Sequence, residues 1–179
     1  MSGTFTLSLL SLFSLGLILT SCQKEEAPLF SGMGKKPVYI PVEETRTIKN
    51  TPQQPVEATG GIFLKDTLFF IAEQRKGIHV YNVTDPSHPI YLNFFSIPAL
   101  GDFTVSGNRL YADSWRDLIT LDISDIYAII EIDRVEDVFT PLLYPSFYNG
   151  WFECPDEANG AIVGWEDTFL VDATCFTNN

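Results

Sequence analysis

Apolar and polar positions divide the 179-residue chain into stretches of different texture. The first is an uncharged apolar run from Leu7 to Ile18, followed by Leu19-Thr20-Ser21-Cys22 and then abruptly by Gln23-Lys24-Glu25-Glu26. A run of this length closed by small residues predicts a secretory signal, because a spanning helix needs about 20 apolar residues and the serines fit one poorly. From Gln23 to about Pro55 the chain is rich in Lys, Glu, Thr, Gln and Pro, with Val38-Tyr39-Ile40 and Val42 as the apolar interruption. Prolines at 28, 37, 41, 52 and 55 exclude a long helix there. This part reads as a tether with one short extended segment.

From Val56 the pattern changes to short β-type runs separated by turn chemistry. Ile62-Phe63-Leu64, the turn Lys65-Asp66-Thr67 and Leu68-Phe69-Phe70-Ile71-Ala72 predict a hairpin. After a polar loop, Glu73 to Gly77, the run Ile78-His79-Val80-Tyr81-Asn82-Val83 alternates as a strand does. Thr84-Asp85-Pro86-Ser87-His88-Pro89 is a strong turn, and Ile90 to Ile97 reads as a further strand. The unit then repeats. Phe103-Thr104-Val105, Ser106-Gly107-Asn108-Arg109 and Leu110-Tyr111-Ala112 retrace the hairpin, and Leu118 to Asp125 matches Ile78 to Asp85. Aligning Leu68 with Leu110 and Asp85 with Asp125 gives a period of about 40 residues, the signature of a propeller blade.

Composition narrows the function classes. Without its leader the chain keeps about 158 residues, enough for one domain with a core. A net charge of −12 argues against a nucleic-acid surface and against adhesion to anionic lipid heads. The leader implies an oxidising compartment, and Cys154 and Cys175 form an even pair once Cys22 is set apart, so a disulfide between them is favoured over two unpaired thiols. His79 and His88 stand far from either Cys, and no zinc-ligand spacing is present.

Leu19-Thr20-Ser21-Cys22 resembles the lipobox of bacterial lipoproteins, in which the Cys receives lipid and becomes the mature N-terminus. Met1 to Thr6 carries no Lys or Arg, a departure from the usual export signal. Gln23-Lys24-Glu25-Glu26 resembles the surface-export signal of Bacteroidota lipoproteins. The resemblance implies a lipid anchor on Cys22, membrane contact through that lipid alone, and display on the outer face of the outer membrane. Asp66-Thr67-Leu68 resembles the short O-glycosylation acceptor of the same group, which would make Thr67 the modified residue.

The paired Ile-x-Val-x-x-Val-[Thr/Ser]-Asp-like units resemble the LVIVD-repeat proteins, bacterial and archaeal surface proteins expected to form β-propellers. Lys36-Pro37-Val38-Tyr39-Ile40 with Glu43-Glu44-Thr45-Arg46 looks like their pre-repeat segment, and Ala158 to Glu166 resembles their GVVVGWE stretch. The resemblance covers about residues 35 to 175 and assigns no enzymatic residue. It implies an all-β fold of antiparallel blades: a signal peptide (1–21), a lipidated tether and pre-repeat segment (22–55), two repeats (56–138) and an aromatic-rich C-terminal piece that can be a partial blade (139–179). Two repeats fall short of the four blades a closed ring requires. A truncated gene or fragment, an oligomer that completes the ring, and a small open β-structure are the explanations, in that order. Unclosed edges predict self-association through strand pairing.

Candidate chemistry is sparse. Asp113, Asp117, Asp122 and Asp125, with Asp133, Glu136 and Asp137, form an oxygen-rich stretch, but the spacing is not that of a calcium loop and turn chemistry is the better reading. Ser114, Ser124 and the two histidines lack a nucleophile elbow, and His79 reads as a packed or solvent-facing strand residue. Trp115, Trp151, Trp165, Tyr144, Phe147, Tyr148 and Phe152 can stack on sugars or anchor a partner, core filling being the commoner fate. The sequence therefore predicts a non-enzymatic, lipid-anchored platform for an unidentified protein or glycan, with no metal or cofactor. A hydrolase of surface polymers and a non-functional fragment are the alternatives.

Overall fold

The computed structural model describes residues 29–178, so the leader and Cys22 lie outside the described part. Its strands are β1 (Phe30–Ile40), β2 (Lys49–Thr51), β3 (Thr59–Lys65), β4 (Leu68–Glu73), β5 (Gly77–Asn82), β6 (Ile90–Ser96) and β7 (Phe103–Ser106). They continue as β8 (Arg109–Ser114), β9 (Asp117–Asp122), β10 (Ile130–Val135), β11 (Asn149–Phe152), β12 (Ala161–Ala173) and β13 (Cys175–Asn178). Two short 3-10 turns, Val42–Arg46 and Glu157–Asn159, are the helical content among the described residues. The fold is all-β and mainly antiparallel, as the repeat pattern predicts.

Strands β3 to β6 form the first blade and β7 to β10 the second, each an antiparallel meander. Their ladders coincide row for row. Phe63, Phe70, Val80 and Asn93 stand opposite one another across the first blade, as Thr104, Tyr111, Thr120 and Asp133 do across the second. The neighbouring rows Leu64-Phe69-Tyr81-Tyr91 and Val105-Leu110-Leu121-Glu131 correspond in the same way. Both blades even share one β-bulge, with Leu92 and Ile132 as the extra residue. The true alignment differs by one position from the sequence match at the hairpin. Leu68 faces Asn82 as Arg109 faces Asp122, so Leu68 is equivalent to Arg109 rather than to Leu110.

The blades pack face to face. Phe70, Ala72, Ile78 and Val80 of the first meet Leu110, Ala112, Ile119 and Leu121 of the second in one core, with Phe70 and Phe103 ring centroids 6.4 Å apart. Burying a side chain of this kind contributes roughly 1.5–3 kcal/mol. Asn50 and Asn93 both donate to Ile126 O, at 3.0 and 2.7 Å, and tie the outer strands of the first blade to a turn of the second.

The third sheet is the largest departure from expectation. Its order is β12-β1-β11-β13, so the segment read as a tether supplies an 11-residue strand near the sheet centre. The prolines that argued for a tether are tolerated for a local reason. β1 touches its parallel neighbour β11 at Lys35↔Phe152, and Pro37 lies beyond that pairing, where β12 is the one neighbour. β2, from the same segment, extends the first blade along β6. The C-terminal piece thus forms this sheet together with β1, bringing the two ends of the described residues onto each other. Ala161 and Ile162 of β12 pack on Ala99 and Trp115, at the loop end of the blades.

Candidate functional site

A cavity of about 460 Å³ opens where the loop ends of the two blades meet the segment before the third sheet. The β4–β5 loop brings Gln74 and Arg75, the β6–β7 connection brings Ala99 to Asp102, the end of β8 brings Asp113, and Phe147 stands on the opposite wall. Backbone bonds lock these loops together. Arg75 N donates to Leu100 O at 2.8 Å, Ala99 N to Arg75 O at 2.9 Å, and Trp115 N to Ala99 O at 3.4 Å. Four of the wall residues hold left-handed backbone: Arg75 (φ 64°), Ala99 (φ 59°), Trp115 (φ 61°) and Phe147 (φ 52°). Each costs roughly 1–2 kcal/mol in a non-glycine residue, and strain of this kind concentrates at functional sites.

Arg75 and Asp113 set the electrostatics. The guanidinium donates to Ile162 O at 3.2 Å and Leu142 O at 3.4 Å, which fixes it between blade and third sheet. Burial pulls its pKa down, and the charge of Asp113 partly restores it. Burial likewise pushes the Asp113 carboxyl up, opposed by the N–H groups of Asp102 and Gly101 and by Arg75, and reinforced by the Asp102 carboxylate. Asp113 Oδ1 accepts both N–H bonds, at 2.8 and 2.7 Å. A side chain at position 101 is incompatible with this arrangement, since a Cβ there would stand 2.4 Å from Asp113 Oδ2. The site therefore offers a partly desolvated cation, two carboxylates and an amide, beside an aromatic ring that is 90% exposed. Such a set can orient a small polar ligand by hydrogen bonds while Phe147 covers an apolar face of it.

The remaining sequence candidates are scattered. Asp117 is half of a partly buried pair with Arg134 at 2.8 Å, and Asp122 pairs with Arg109. Asp125 Oδ1 accepts from Tyr127 N within its own turn. Among the described residues, no three His, Cys, Asp or Glu side chains converge as metal ligands would. Ser114 Oγ is buried against Thr45 O and Pro98 O, at 2.9 and 3.0 Å, and is committed to holding the connection. His79 sits in the first blade with Nε2 3.3 Å from Glu73 Oε2, whereas His88 pairs with Asp85 on the surface. The Ser and His candidates thus do not form a catalytic set. Trp115 and Trp165 join the core at the third sheet, and Trp151 stacks on Phe30 at 5.1 Å.

Cys154 and Cys175 form a disulfide with Cα atoms 5.2 Å apart, fastening β13 beside β11. Thr67 is exposed in the two-residue Asp66-Thr67 turn between β3 and β4. Gln74, Arg75 and Asp102 carried no motif. The one trace in the sequence is the β4–β5 loop, longer by one residue than its counterpart at Trp115-Arg116, which gives Arg75 its reach across to the third sheet.

No curated protein and no solved structure matches the chain. Residues 101–137, which span all four strands of the second blade, match the LVIVD repeat.

Proposed function

We propose that the chain is a non-enzymatic binding protein of the LVIVD-repeat β-propeller type, held at the outer surface of the outer membrane by lipid on Cys22. The observation that carries the binding role is the strained, loop-built cavity around Arg75 and Asp113. Its ligand is a small polar molecule, and the exposed ring of Phe147 beside carboxylates and an amide favours a sugar over an apolar compound. The net charge of −12 supports an anchor that works through lipid and a role apart from nucleic acid. Exposure of Thr67 in a tight turn supports its modification by sugar.

Trp115 lines the cavity, so titration of tryptophan fluorescence with a panel of mono- and oligosaccharides reads occupancy directly. Asp113→Asn and Phe147→Ala should each weaken binding by about tenfold or more with little change in melting temperature. Binding that survives both substitutions would place the ligand elsewhere.

One observation favours a second reading. A carboxyl pushed up by burial beside another carboxylate is the arrangement a general acid requires, so Asp113 with Asp102 would serve a hydrolase of surface polymers. Release of reducing ends from surface polysaccharide, abolished in Asp113→Asn, is the outcome that would favour it.

A further inference from the structure

The two blades have open faces of different chemistry. Because the blades stack in the same sense, the open face of the first is equivalent to the buried face of the second, and the reverse also holds. On the second blade the row Thr104-Tyr111-Thr120-Asp133 faces outward, where the first blade has Phe63-Phe70-Val80-Asn93 against the core. Each step of that comparison is toward polarity: Phe to Thr, Phe to Tyr, Val to Thr, Asn to Asp. A repeat face with no neighbouring repeat on it is ordinarily polar, and the outward face of the second blade is.

The first blade does not. Its outward rows are Leu64-Phe69-Tyr81-Tyr91 and Ile62-Ile71-His79-Phe94, matching the buried rows of the second blade. Ile62 is 65% exposed and Leu64 60% exposed. Phe69, Ile71, Tyr81 and Tyr91 are half-buried beside them, whereas His79 and Phe94 of the second row are buried, so the free part of the face is Ile62, Leu64, Phe69, Ile71, Tyr81 and Tyr91. The Tyr81 and Tyr91 rings meet edge to face at 5.3 Å, and neither row contains a Lys, Arg, Asp or Glu. In a chain of net charge −12, these two rows bring no charge of their own to a contact.

We propose that the open face of the first blade is the contact surface of a two-fold symmetric dimer, its occupant being the same face of a second copy of this chain. A two-fold contact needs one self-complementary surface. A head-to-tail contact would instead bury Asp133, and with it the Thr104, Tyr111 and Thr120 row, against aliphatic side chains. This contact is independent of the cavity, whose loops lie at the blade ends.

Sedimentation velocity of the full chain in density-matched detergent tests the proposal with three variants. The unmodified chain should be a dimer at micromolar concentration. Leu64→Glu and Ile62→Lys should each raise the dimer dissociation constant by about tenfold or more, because a charge would be buried on both sides of the axis. Thr120→Glu, on the polar face of the second blade, should leave the dimer unchanged. Circular dichroism and thermal melting check that each variant is folded, and Ile62→Lys carries the test if Leu64→Glu is not. A chain that stays monomeric to about 100 μM would overturn the proposal, since a contact that weak falls short of a standard interface. So would assemblies larger than a dimer, or a dimer dispersed by Thr120→Glu and not by the first-blade variants.

Discussion

Asp113 and Glu73 are two carboxylates taken out of water, and their surroundings treat them differently. Glu73 is fully buried and accepts from Ala58 N at 2.6 Å and from Glu57 N at 3.0 Å, with His79 Nε2 at 3.3 Å. Glu73→Ala would remove the acceptor of two backbone N–H groups and leave the buried His79 without its partner, so chemical denaturation should show a loss of roughly 3 kcal/mol. An unchanged midpoint would mean that water replaces the carboxylate. Asp113 is held above its ordinary value of 3.8, chiefly by burial. Between that value and its raised folded one the native state binds more protons than the unfolded chain, so this group's stabilising contribution is lost as pH rises through the folded value. Asp122 works in the opposite sense. The backbone N–H of Ser124, then the Ser124 hydroxyl and Arg109, hold it down to about 2, so its contribution is present above 3.8 and lost as pH falls toward 2. Asp113→Asn should therefore flatten the decline in stability just above pH 4 and leave the acid limb in place. Urea midpoints across pH 2 to 7 measure both limbs, and an unaltered slope above pH 4 would refute the assignment.

At the scale of elements, the third sheet depends on two long-range ties. The disulfide spans a sequence separation of 21 and joins the end of β11 to the start of β13. Closing a loop of that size contributes about 3 kcal/mol in the chain-entropy model. Cys154→Ala with Cys175→Ala should lower stability by that order in a denaturant titration, and amide exchange should rise first in β13. The second tie is β1. It pairs with β12 from Phe30 to Ile40 and carries Lys35 and Lys36 opposite Asp167 and Glu166. A chain shortened to begin at Val42 would leave β12 and β11 without a common neighbour. It should lose the third sheet and aggregate, and a soluble product with native β-signal by circular dichroism would count against β1 as a sheet component.

At the scale of the molecule, two repeats share one core, and a sheet made from β1 and the C-terminal segment sits across their loops. The cavity exists because three connections and the segment 139–147 converge there. Anchoring belongs to this scale too. If Cys22 carries lipid, the chain should partition into the detergent phase and its mature N-terminus should be acylated by mass spectrometry. Cys22→Ala should move it to the aqueous phase, and an unmodified Cys22 in the native protein would end the lipoprotein reading.

The repeat period, the strands of both blades and their turns were legible in the residues, because alternation and turn chemistry are local properties of a few neighbours. Gly107-Asn108 and Asp66-Thr67 mark their hairpins by composition alone. The Cys154–Cys175 pairing was legible from the cysteine count once Cys22 was set apart. The role of β1 was not, because Phe30–Ile40 is stabilised by partners some 120 to 140 residues away, and its prolines signal a tether to any local rule. The cavity was hidden for the same reason: Arg75, Asp102, Asp113 and Phe147 share no spacing, and only the packing of blade ends against the third sheet brings them together. Sequence alone determined what each segment can form locally. Tertiary structure decided which segments meet, because that choice rests on burial and backbone pairing between residues distant in the chain.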